Sequence, residues 1–76
     1  VEQLALALEK DLLTYYGSPI ISGEKLQMAL GYPTMAAMKK SIIRKTFPVK
    51  TFKIANRRGQ FALIKDISFW LAEQAR

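Results

Sequence analysis

Apolar positions along the chain recur first at helical spacing and later at alternating spacing. Between residues 2 and 16, Leu4, Ala5, Leu8, Leu12, Tyr15 and Tyr16 keep the three-to-four-residue step of one helix face, with Val1 extending the seam. Gly17-Ser18-Pro19 then closes the segment with a C-cap glycine and a proline. Ser22 is placed to cap a second, shorter helix over residues 23 to 30, with Glu24 in the first turn where the helix dipole favours a negative charge, and Gly31 ends it. Pro33 and Thr34 suit the first turn of a third helix, which good helix formers carry over residues 35 to 45 until Phe47-Pro48.

After Pro48 the period changes. Residues 49 to 54 alternate apolar and polar, residues 60 to 64 are β-compatible, and Asn56-Arg57-Arg58-Gly59 between them reads as a turn, which predicts a β-hairpin with an arginine-bearing tip. Asp66 or Ser68 then starts a last helix with Ile67, Trp70 and Leu71 on one side. A two-stranded hairpin does not stand alone in water, so its apolar face (Val49, Phe52 or Ile54, Phe61 and Leu63) is expected to pack on the helices with Phe69 or Trp70. The expected fold class is mostly α with a β-hairpin, an α+β domain. Residues 1–17 form an additional N-terminal helix, and residues 18–76 form the helix-turn-helix and hairpin unit.

Composition narrows the function. The 76 residues include neither cysteine nor histidine, which removes thiolate nucleophiles, the usual general base and the commonest metal ligands. A chain this short buries only about 60% of the surface exposed by its unfolded state, so a large enclosed substrate cavity is not expected. The acids are few and scattered. No enzyme activity, cofactor, metal site or small-molecule substrate is therefore expected. No apolar run reaches the roughly 20 residues that span a bilayer and no signal peptide is visible, so the expectation is a cytoplasmic, nucleoid-associated protein without a membrane partner.

Charge is distributed unevenly along the chain. The net charge is +6, but residues 39 to 65 carry nine cations (Lys39, Lys40, Arg44, Lys45, Lys50, Lys53, Arg57, Arg58 and Lys65) and no acid, while both flanks are net negative. A solvated basic face accounts for two or three lysines. Nine uncompensated cations repel one another in the folded state, and a polyanion relieves that repulsion. Projected at about 100° per residue, the third helix gathers Met35, Met38 and Ile42 on one side with Ile43 and Ala36 along its edge. Thr34, Ala37, Lys40, Ser41 and Arg44 fall opposite. Small residues that admit a groove and long cations that reach base edges or phosphates are what a recognition helix needs. Arg57, Arg58 and Gln60 would form a wing on the minor groove or the phosphates, and Lys39, Lys45, Lys50 and Lys53 would balance phosphate charge.

Residues 19 to 72 resemble small winged helix-turn-helix proteins. The resemblance is carried by Gly31-Tyr32-Pro33 at the turn, Phe47-Pro48 after the third helix, Phe52-Lys53-Ile54, Arg57-Arg58-Gly59-Gln60-Phe61, and Asp66 with Trp70-Leu71. These relatives are the excisionase and AlpA-like regulators of phages, plasmids and integrated elements, related to the DNA-binding head of the MerR family. The resemblance implies sequence-specific binding of double-stranded DNA for transcriptional control or recombination directionality. The chain departs from those families in carrying Tyr32-Pro33-Thr34 in place of a polar cap and in its extra N-terminal helix. On that helix Leu6 and Leu13 lie off the main seam, where they could serve a homodimer or pack under the closing helix. The competing readings are a basic module docking an acidic protein partner, such as a recombinase or polymerase subunit, and an architectural DNA binder without sequence preference.

Overall fold

The first helix, α1 (Glu2–Tyr16), ends where the sequence places its stop, with the Gly17 N–H donating to the Leu13 carbonyl at 2.8 Å. The computed structural model describes residues 2–75; Val1 lies outside them. After α1 the chain forms β1 (Ile20–Ser22), α2 (Gly23–Ala29), α3 (Met35–Ile43), β2 (Phe61–Leu63) and α4 (Ile64–Ala75). The fold is α+β and mostly helical, with one two-stranded antiparallel sheet. Among the described residues, no helix is long and apolar enough to cross a membrane.

The sheet differs from the expected hairpin. β2 pairs with β1 in the register Ile20↔Leu63, Ile21↔Ala62 and Ser22↔Phe61, and the Ile64 N–H extends the ladder to the Pro19 carbonyl at 2.8 Å. On its other edge Phe61 makes one bridge to Phe52, through Phe52 N–H to Phe61 O at 3.0 Å and Phe61 N–H to Phe52 O at 2.8 Å. Pairing stops there because the intervening loop turns twice through left-handed backbone, at Asn56 (φ 65) and Gly59 (φ 85). The first of these turns is closed by Arg57 N–H donating to Ile54 O at 3.1 Å. The last helix starts at Ile64, directly after β2 and earlier than Asp66.

Two helix ends share one geometry. At the end of α2, Tyr32 N–H reaches Gln27 O at 3.0 Å and Gly31 N–H reaches Met28 O at 3.2 Å, with Gly31 at φ 80. This is a Schellman motif, whose left-handed position suits glycine. α3 ends in the same way: Thr46 N–H to Ser41 O at 3.0 Å and Lys45 N–H to Ile42 O at 3.1 Å, but here a lysine, Lys45, takes the left-handed position at φ 59. The helix therefore stops at Ile43, short of the expected Lys45. Ser22 stands at the α2 N-cap without a side-chain cap bond.

The core gathers Ile21, Leu26, Met38, Val49, Ala62, Ile64 and Ile67, with Leu12, Leu13, Tyr16, Phe47 and Trp70 among the side chains packed around it. α1 thus shares this core. Leu13 belongs to it and not to a free flank, while Leu6 stays exposed. Of the expected hairpin face, Val49 and Phe61 are buried and Leu63 is exposed; of the two closing aromatics, Trp70 packs inward and Phe69 faces solvent. Among the described residues no buried side-chain nitrogen or oxygen lacks a hydrogen bond. Ile67 is fully buried, so Ile67→Ala should cost about 3 kcal/mol in urea unfolding, a large part of the stability of so small a domain.

Candidate nucleic-acid interface

α3 is held at both ends by its own sequence. Thr34 is the N-cap, its Oγ1 accepting from the Ala37 N–H at 3.1 Å. At the far end Tyr32 Oη lies 2.7 Å from Ser41 Oγ, which lies 3.1 Å from Thr46 Oγ1, and Thr46 Oγ1 also donates to Ser41 O at 3.3 Å. The Tyr32 ring stacks on Phe47 with centroids 5.7 Å apart and planes 7° from parallel.

This hydroxyl chain corrects the sequence reading of the helix. Ser41, expected on the outward side, is only 9% exposed and its hydroxyl is engaged internally. With Ser41 and Met38 inward and Ala37 half-buried, the solvent face is Ala36, Lys39, Lys40 and Ile43, continuing into Arg44 and Lys45. Ile43 is 78% exposed, at the centre of a cationic strip and not on an apolar edge. Lys39, assigned above to phosphate balance, joins Lys40 on that face. Sequence reasoning missed Ile43 and Ala36 because spacing alone does not distinguish two rotations differing by one residue when serine and isoleucine are adjacent on the border.

The other cations separate in space. Lys50 lines a groove with Asp66, Phe69, Trp70 and Glu73, and Lys65 lines another with Glu2, Glu9 and Asp66. Arg57 is exposed on the loop and also lines a groove of about 470 Å³ with Ser22, Glu24, Lys25 and Tyr16. Burial, and secondarily the neighbouring Tyr15, holds the Tyr16 phenol above its ordinary range. Lys53 and Arg58 are exposed on the loop, and Gln60 is half-buried beside Phe61. The strip that shares none of these grooves with a carboxylate is Lys39, Lys40, Arg44 and Lys45; Lys53 and Arg58, on the loop between Phe52 and Phe61, share none either. All six acids of the chain lie on α1, α2 or α4 and none on α3 or the loop.

Among the described residues, no group of three or more Asp or Glu is placed to hold a metal ion. Cations gathered on one helix with no carboxylate on the same element make the strip a region of positive potential. Comparisons with protein-family models, curated proteins and solved structures find no match to this chain.

A left-handed lysine costs roughly 1 kcal/mol relative to glycine. Lys45→Gly should therefore raise the urea-unfolding free energy by about that amount, while Thr34→Ala, which removes the cap, should lower it by about 1 kcal/mol.

Proposed function

We propose that the chain is a winged helix-turn-helix protein that binds double-stranded DNA in a sequence-specific way, with α3 in the major groove. The observation that carries this reading is the solvent face of α3: Ala36, Lys39, Lys40, Ile43 and Arg44 on one side of a capped helix, with no acid on the same element. Small and apolar side chains there admit close approach to base edges, and cations surround them for guanine or phosphate.

Chain order supports the same reading. A helix, a strand, two helices joined by a Schellman turn, a loop between Phe52 and Phe61, and a closing helix follow one another as in a winged helix. In this reading the loop is the wing. Lys53 and Arg58 reach phosphates or the minor groove, and Arg57 braces the wing against the start of α2. Lys50 and Lys65, which share grooves with carboxylates, contribute little. The sequence resemblance adds the biological role, that of a transcriptional regulator or recombination directionality factor of a mobile element.

Fluorescence anisotropy on duplexes selected from a random library tests this. Lys39→Ala, Lys40→Ala and Arg44→Ala should each weaken binding and reduce the salt-dependence slope by about one unit per lost phosphate contact, whereas Lys65→Ala should change neither. A preference of about a thousand-fold for the selected site over random duplex marks a specific binder; its absence marks an architectural one. Failure to bind any duplex at low salt would overturn the reading in favour of a module docking an acidic protein.

The exposed Ile43 makes a finer test. A thymine methyl buried against it is worth about one methylene-equivalent, or roughly four-fold in affinity. Replacing thymine by uracil through the selected site should weaken the native protein by at least that factor and leave Ile43→Ala insensitive to the exchange.

A further inference from the structure

On α4 the side chain of Phe69 stands 46% exposed, and across from it on α1 Leu6 stands 65% exposed. Between them runs a groove of about 370 Å³, floored by Ala5 and bordered by Glu2, Glu9 and Asp66. Phe69 and Asp66 also line the neighbouring groove with Trp70 and Glu73, so an apolar strip edged by acids continues across α4. Among the described residues, Lys65 and Lys50 are the cations that line these two grooves with the four carboxylates. This surface repels a phosphate backbone, and α3 contributes nothing to it.

We infer that the α1–α4 groove docks a cationic amphipathic helix of a partner protein, its apolar side chains on Leu6 and Phe69 and its lysines or arginines on Glu2, Glu9, Asp66 and Glu73. Charge complementarity selects this occupant. A second copy packed about a two-fold axis brings the same carboxylates together and doubles their number in one interface, which is unfavourable. A head-to-tail copy would have to offer its cationic face, the α3 strip. Apolar anchors at helical spacing with charges around them are the ordinary chemistry of helix-in-groove recognition. The inference does not depend on DNA binding.

The test uses a labelled synthetic peptide of about 18 residues, five helical turns, with leucine at the i, i+3, i+4, i+7 positions and lysine elsewhere. Two controls accompany it, one with glutamate for lysine and one with serine for leucine. Because the protein carries a net charge of +6, capture of a cationic peptide has to be local. Amide shifts in the native chain should move around Leu6, Glu9, Asp66 and Phe69, binding should weaken with salt, and both controls should bind at least about ten-fold more weakly. Phe69→Ser and, independently, Glu9→Lys should reduce affinity by about ten-fold while leaving duplex DNA binding unchanged. Shifts confined to another surface, equal binding of the serine control, or no binding by the native protein would overturn the inference. So would a dimer of the native chain in sedimentation that Phe69→Ser dissolves.

Discussion

The rotation of α3 about its own axis decides what this molecule presents to a partner, and three hydroxyls set that rotation. Ser41 is a buried polar side chain, and a buried hydroxyl without a partner costs on the order of 1–3 kcal/mol. Tyr32 and Thr46 supply the partners, from opposite ends of α3 in sequence. Turning the helix by one residue would expose Ser41, break both bonds and drive Ile43 toward the core. The Tyr32 ring is itself fixed by stacking on Phe47, so the turn before α3 and the loop after it hold the helix between them. Lysine and arginine positions on the outer face follow from contacts on the inner one.

Phe61 plays the corresponding part for the loop. It pairs with Ser22 on one side and Phe52 on the other, which ties three distant segments at one residue and anchors the base of the loop while its tip stays exposed. With the loop anchored there, cations that are contiguous in sequence divide in space. Lys50 and Lys65 line grooves that carboxylates of α1 and α4 also line, and Lys39, Lys40, Arg44, Lys45, Lys53 and Arg58 line none of these. The cations of α3 and the loop and the acid-edged apolar grooves of α1 and α4 are thus built from different residues.

Much of this was legible in the sequence. The four helices, the glycine stop at Gly31 and the turn at residues 56–59 follow from local chemistry, and local chemistry is what one sequence displays. β1 was not legible, because Ile20-Ile21-Ser22 becomes a strand only by pairing with residues some forty positions later. The same long-range choice turned the expected hairpin into a single bridge. Leu13 and Leu6 are indistinguishable by spacing; burial separates them, the first in the core and the second on the surface. For the candidate site, the residue types were legible and the rotation was not. Charge identified α3 and the loop, while the roles of Ser41, Ile43 and Lys39 depended on a hydrogen-bond chain that no periodicity encodes.

The clustering of cations near the end of α3 has a second physical explanation. Negative potential at a helix C-terminus favours Lys and Arg by about 0.3–1 kcal/mol each within the last turn, which accounts for Lys40 and Arg44 with no ligand at all. The dipole does not account for Lys53 or Arg58, which belong to no helix. Nor does it account for a lysine at Lys45, where the left-handed backbone favours glycine and the strain offsets what the dipole contributes. α2, which ends in the same motif, uses glycine there. Between two equivalent positions in one chain, the strained residue sits where a cation extends the basic strip, as expected if the strip has a partner whose binding outweighs the strain.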